Sequence, residues 1–220
     1  MYNIITETNE ATVVAEYTPK YNRKQEYQSE AQLEANFITS LISQGYEALH
    51  IKSENELIDN LRTQLEKLND IKFTDNEWNN FFSQNIASSN DGIVEKTRRI
   101  QTEIVLSFKR ENGQTKNIKL IDNKNIHNNS LQVINQYEVK TYQINHDDEA
   151  NNATRDNRYD VTILINGLPL VHCELKRRGV AIREAFNQIR RYNRESFWSG
   201  CGLFEYIQIF VISNGTETKY

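Results

Sequence analysis

Cysteine, proline and methionine are scarce in this chain: two, two and one among 220 residues. Cys173 and Cys201 form no Cys-x-x-Cys pair and are too few for a disulfide framework, which argues for reduced thiols and against a thiolate zinc site. With only eight glycines beside the two prolines, collagen-like and low-complexity disordered chains are excluded as well. No apolar run approaches the roughly 20 residues of a membrane span. The opening stretch MYNIITETNEATVVAEY lacks the basic flank and apolar centre of a signal peptide. A cytoplasmic protein with no membrane partner is expected.

What is present suits a folded, rather polar domain. Hydrophobic residues make up 38% and charged residues 25%, and the length supports one α/β domain over residues 1–220 with a sizeable core. The net charge of −4 is unevenly spread: between Arg155 and Trp198 there are nine Lys/Arg against five Asp/Glu. A basic surface on an acidic protein can meet a phosphate backbone, and a solvated helix face is the alternative.

Periodicity places the elements. Ser29 with Gln32 caps a helix over 29–44, with Leu33, Phe37, Ile38, Leu41 and Ile42 on one face and Gly45 as its stop. Residues 53–68 gather Leu57, Ile58, Leu61, Leu65 and Leu68 on one side of a second helix. Thr74 with Glu77 caps a third, running to Ile86 and packing through Trp78, Phe81 and Phe82. Strands are expected at 104–109 and 117–121, about a Glu111-Asn112-Gly113 turn, and at 131–137. The polar stretch 143–157 reads as a surface loop; its His146, Asp147, Asp148 and Glu149 form an acidic run of the kind more often solvated than metal-bound. A helix over 182–192 and a near-continuous apolar strand at 206–213, the kind buried on both faces of a sheet, follow.

The stretch RYDVTILINGLPLVHCELKRRG, residues 158–179, reads as a β-hairpin about Asn166-Gly167. A two-residue loop mixes its faces. One further loop residue, or an equivalent bulge, sets Asp160 opposite Glu174, Thr162 opposite His172 and Leu164 opposite Leu170. Val161, Ile163, Ile165, Val171, Cys173 and Leu175 then share an apolar side, while Asp160, Thr162, His172, Glu174 and Lys176 share the other. Two adjacent carboxylates repel unless a cation sits between them, and Mg²⁺ accepts a few carboxylate and carbonyl oxygens plus water. Lys176 is then placed to orient or activate a metal-bound water and to offset charge on a phosphate. The alternative is a solvated edge hairpin with a weak Asp160 to Lys176 ion pair. His172 reads as a polar neighbour of Thr162 rather than a base, and Cys173 as core. The following helix carries Gln188 and Tyr192 on one face, and Arg177, Arg178, Arg183, Arg190, Arg191 and Arg194 supply phosphate-binding charge.

Asp160, Glu174-Leu175-Lys176 and Gln188-x-x-x-Tyr192 resemble the PD-(D/E)XK nuclease signature with its QxxxY element. More closely, residues 158–192 and YIQIFVISNGT resemble the amino-terminal endonuclease domain of the motor (R) subunit of type I restriction enzymes, as do YQSEAQLEANFITSLISQGYE and DGIVEKTRRI. The resemblance implies a restriction-endonuclease-like mixed central sheet flanked by helices. It implies Mg²⁺-dependent cleavage of double-stranded DNA without intrinsic sequence specificity, with Mn²⁺ as substitute. Asp160, Glu174 and the Leu175 backbone carbonyl would hold the metal. Glu34 would match the acidic residue that approaches the site in the superfamily, and Lys176 would serve the attacking water. Gln188 and Tyr192 would support the site and the DNA backbone. Modification and specificity subunits are the implied partners. Tyr159 stands where the motif has proline, and no G-x-x-x-x-G-K-[ST] loop occurs. The chain is therefore expected to be an amino-terminal fragment without ATP hydrolysis, with ATP acting only through motor domains of the longer subunit. The segment FWSGCGL, with Phe197 and Trp198, is expected to dock onto that motor. A stand-alone repair or junction-resolving nuclease of the same superfamily, and a non-catalytic interaction module, are the competing expectations.

Overall fold

A computed structural model of the protein describes residues 2–7, 12–17, 28–103, 105–141, 155–195 and 202–220. Local sequence explains the helices. In α1 (Glu30–Ser43) the Ser29 hydroxyl accepts from Gln32 N and the Gln32 side chain returns to Ser29 N. Ser53 with Glu56 does the same for α2 (Glu54–Asn69), and Thr74 with Glu77 for α3 (Asp75–Phe81). The third helix ends earlier than expected, because residues 82–86 form a wider, π-helical turn. Helices α4 (Ile93–Gln101) and α5 (Ile182–Glu195) complete the set. No helix of the described residues is long and apolar enough to cross a membrane.

The strands are β1 (Tyr2–Glu7), β2 (Thr12–Tyr17), β3 (Glu47–Leu49), β4 (Leu106–Lys109), β5 (Thr115–Ile118), β6 (Leu131–Thr141), β7 (Arg155–Ile165), β8 (Leu168–Leu175), β9 (Ile209–Ser213) and β10 (Thr218–Lys219). The strands β4 and β5 pair by themselves. The others form one mixed sheet in the order β1-β2-β10-β9-β8-β7-β6-β3, parallel at β8/β9 and β3/β6 and antiparallel elsewhere. Helices cover both faces, so the protein is α/β with a mixed central sheet flanked by helices. On one side, Leu33, Phe37, Ile38 and Leu41 of α1 pack on Val133, Val161, Cys173 and Leu175. Ile42, expected on this face, is half exposed. On the other side, α2, α3, α4 and α5 enclose a larger core around wholly buried Leu57, Leu61, Leu65 and Phe81; each such side chain contributes roughly 1.5–3 kcal/mol.

Three expectations are corrected. Residues 155–157, expected to end a loop, begin β7 and pair with β6. Strand β9 starts only at Ile209, since Tyr206 lies in a 3₁₀ turn and its hydroxyl donates to Ile86 O. Ile209 is itself half exposed, so this strand is not buried throughout.

Candidate active site

Asn166 and Gly167 join β7 to β8, both with positive φ (51° and 83°), as a tight turn matched to strand twist requires. Asn166 is held there by its buried side chain, which accepts from Ser130 N and donates to Leu120 O and Asn129 Oδ1. The turn pairs Ile165 with Leu168 and Leu164 with Pro169; a bulge then restores Ile163–Val171, Thr162–His172 and Val161–Cys173. The bulge, not a longer loop, thus delivers the expected register. The expected Leu164–Leu170 pair is replaced by Leu164–Pro169.

Beyond Val161–Cys173 the next residues out are Asp160 and Glu174. Asp160 Oδ2 accepts from Leu175 N at 2.9 Å. Lys176 Nζ donates to Glu174 Oε1 at 2.8 Å and reaches the Leu175 carbonyl at 3.4 Å. The Lys176 backbone is anchored on β9 through Ser213 O. A solvated hairpin edge is excluded: β8 is internal to the sheet, His172 and Glu174 are wholly buried, and Lys176 pairs with Glu174 instead of Asp160. His172 packs against the Tyr159 and Tyr192 rings, with Nδ1 3.4 Å from Thr162 Oγ1. Burial pushes its imidazole down to about 4, so near pH 7 it is neutral.

Burial, and then the charge of Glu174, push Asp160 up to about 6. Burial also raises Glu174, against the opposing pull of Lys176. Burial works against the Lys176 ammonium, but the adjacent Glu174 carboxylate outweighs it and raises its pKa. Glu174 Oε2 is buried, 3.5 Å from His172 Nε2, and makes no hydrogen bond of good geometry. Two crowded, buried carboxyl groups, each pushed toward its neutral form, are the chemistry that a cation relieves. No three His, Cys, Asp or Glu converge as a ligand set among the described residues. Two carboxylates and a carbonyl are nonetheless enough for Mg²⁺, which keeps several waters; the residues fit such an ion.

Asp160 and Leu175 line an open cleft of about 680 Å³ beneath α1, with Glu30, Glu34, Asn135, Gln136, His50 and Arg158 on its walls. Contrary to expectation, Asp160 therefore does not share a face with Thr162 and His172. The alternation of β7 is broken: Tyr159 and Val161, two residues apart, lie in different cores. Glu34 reaches this cleft from α1, and its two oxygens accept the amides of Asn135 and Gln136.

Gln188 and Tyr192 meet beside Arg158, in the first half of β7. The Gln188 amide donates to Tyr192 Oη, and Tyr192 Oη donates to Arg158 O at 2.6 Å. The buried Tyr192 ring lies edge-on to Tyr159 at 4.9 Å. Burial, with Glu174 next, pushes the phenol up to about 12, so it stays protonated. Arg177, Arg183 and Arg190 are exposed, and Arg178 and Arg191 are half-buried. The Arg191 guanidinium lies over the Tyr192 ring, and its charge favours ionised Glu174, so it faces the site. The Arg194 side chain lies outside the described residues, as do His146, Asp147, Asp148, Glu149, Phe197 and Trp198. Sequence reasoning missed Glu30, Arg158, Asn135 and Gln136. Arg158 adjoins the motif and was findable; no pattern marks two amides in a strand.

A family model described as type I restriction enzyme R protein N terminus matches residues 27–220. The chain belongs to this family. Among type I restriction proteins it is 46% identical over 217 residues to the EcoprrI endonuclease subunit of Escherichia coli, covering 98% of this chain and 66% of that protein. It is 41% identical over 200 residues to the SsaAORF53P endonuclease subunit of Staphylococcus saprophyticus, and 40% over 197 residues to the SauMSSORF170P endonuclease subunit of Staphylococcus aureus. Those two alignments cover 88% of this chain and 19% of each relative, so the chain spans only part of the R proteins it matches.

Proposed function

We propose that this chain is a nuclease domain of the PD-(D/E)XK fold, hydrolysing phosphodiester bonds of double-stranded DNA as the amino-terminal part of a type I restriction R subunit. The convergence of Asp160, the buried Glu174 carboxylate and Lys176 carries this proposal. Asp160, Glu174 and the Leu175 carbonyl would hold Mg²⁺, or Mn²⁺ in its place. The ion would supply Lewis acidity at the phosphate and a lowered pKa for water.

The chain's own groups divide the remaining work. Lys176 stays an ammonium, so it donates hydrogen bonds to the attacking water and offsets charge growing on the phosphate. Tyr192 and Gln188 fix the Arg158 carbonyl and with it the stretch of β7 that bears Asp160. Arg177, Arg183 and Arg190 supply sequence-independent phosphate contacts. Glu34 presents a fixed negative wall to water in the cleft. In this proposal residues 1–220 form one cytoplasmic domain, modification and specificity subunits choose the target, and ATP acts through motor domains of the longer subunit.

A Mn²⁺ soak with anomalous scattering tests the site, and a plasmid-cleavage assay of the assembled enzyme tests the activity. A peak joining Asp160, Glu174 and the Leu175 carbonyl, with cleavage lost in Asp160→Asn, supports the proposal. Full cleavage by Asp160→Asn rejects it.

A further inference from the structure

Gln136 has φ of 54° in the middle of an eleven-residue strand. Extended backbone is the rule there, and a left-handed residue other than Gly, Asn or Asp is uncommon. Such strain persists only where the surroundings over-determine it. The ladder between β6 and β7 pairs Asn135 with Val161 and Tyr137 with Tyr159, the same register on either side, yet no pairing joins Gln136 to Asp160. Side chains two apart on a strand ordinarily share a face. Here Tyr159 and Val161 lie in different cores, and so do Tyr137 and Val133. Alternation thus reverses on both strands at one step, which bears Gln136 on one side and Asp160 on the other.

This reversal has two consequences at the site. Asp160, which unbroken alternation would place beside Thr162, opens into the cleft and takes the Leu175 N–H. At the same step the Asn135 and Gln136 amides each donate to one oxygen of Glu34. Each Glu34 oxygen keeps a second lone pair for water.

We propose that Gln136 is a positioning residue for the metal site: its backbone turns Asp160 into the cleft, and its amide, with that of Asn135, fixes Glu34 on the facing wall. This inference rests on the nuclease proposal and adds a residue that the nuclease motif does not contain.

Three substitutions in the full chain separate the backbone role from the side-chain role. Gln136→Gly keeps the left-handed backbone and removes the amide; Gln136→Ala removes the amide and strains the backbone. Gln136→Asn keeps an amide on a residue that tolerates this φ. Removing an outer partner of a metal ligand set weakens metal affinity about 10–100-fold. By calorimetric Mn²⁺ titration, Gln136→Gly should bind roughly tenfold more weakly at an unchanged melting temperature. Gln136→Ala should bind more weakly still and melt lower, and Gln136→Asn should recover part of the loss. Wild-type affinity in Gln136→Gly overturns the inference. Asp160→Asn is the control: if it leaves Mn²⁺ affinity unchanged, the nuclease proposal falls and takes this inference with it. If affinity falls in Asp160→Asn but not in Gln136→Gly, only the positioning role is rejected.

Discussion

Lys176 Nζ lies 2.8 Å from Glu174 Oε1, and the carboxylate is wholly buried while the lysine keeps partial contact with solvent. Removing one partner of such a pair leaves an uncompensated buried charge, typically worth 3–5 kcal/mol. Glu174 can escape part of that penalty by taking up a proton. Lys176→Ala should therefore cost about 2–3 kcal/mol at neutral pH in denaturant melts. Adding Glu174→Gln to the same chain should return much of it, because an amide carries no charge to strand. Both variants should lose DNA cleavage in the assembled enzyme and keep DNA binding; a gel-shift and plasmid assay run together would separate the two.

Asp160 makes stability depend on pH in an unusual direction for a carboxyl. Its folded value of about 6 lies above the ordinary 3.8, so between those values the folded state holds a proton that the unfolded chain has released. The stability it contributes is full below about 3.8 and lost as pH rises through about 6. Asp160→Asn should stabilise the protein near pH 7.5 by about 1–2 kcal/mol, allowing for the open cleft, and leave it unchanged near pH 3.5. Urea melts at the two pH values check this; an equal gain at both would show that the effect is not ionisation. Mn²⁺ should displace the same proton, so its affinity should climb with pH through about 6.

What could be read from the sequence was decided by local chemistry. The capping boxes at Ser29 and Thr74 form as expected because each needs only residues three apart, and the unforeseen one at Ser53 with Glu56 has the same spacing. The bulged register of the hairpin was legible from the sorting of Val161, Ile163, Val171 and Cys173 onto one face. The location of Asp160 was not, because the reversal at Gln136 breaks the alternation on which face assignment depends. Nor was the burial of His172 and Glu174, since the cover over them comes from β9 and α5, elsewhere in the chain. Tyr206 looked like strand for the same reason: its hydroxyl bond runs to Ile86 O, far away in sequence.

The Tyr192 hydroxyl bridges Gln188 and the Arg158 carbonyl in a buried place. Tyr192→Phe keeps the ring against Tyr159 and leaves both polar partners without it. The cost should be about 1–2 kcal/mol in chemical denaturation. Hydrogen exchange should show β7 around Arg158 opening faster. Exchange that speeds up uniformly through the domain, with no local excess there, would argue against a specific clamp on the strand bearing Asp160.

Gly167 ties the hairpin to α2. Its φ of 83° is left-handed, and a Cβ placed on it would lie 2.6 Å from Leu61 Cα, a backbone atom that cannot swing aside. Gly113, at φ of 82°, has nothing within 4 Å of the corresponding position. Alanine at Gly113 should therefore cost only the conformational penalty, about 1 kcal/mol, whereas alanine at Gly167 adds steric displacement and should cost about 2–4 kcal/mol. The difference between the two melts isolates the close approach. Since Gly167 anchors the turn from which the register runs outward to Asp160 and Glu174, Gly167→Ala should also weaken Mn²⁺ binding while Gly113→Ala leaves it intact. Equal effects of the two substitutions would mean that the helix contact does not hold the hairpin in place.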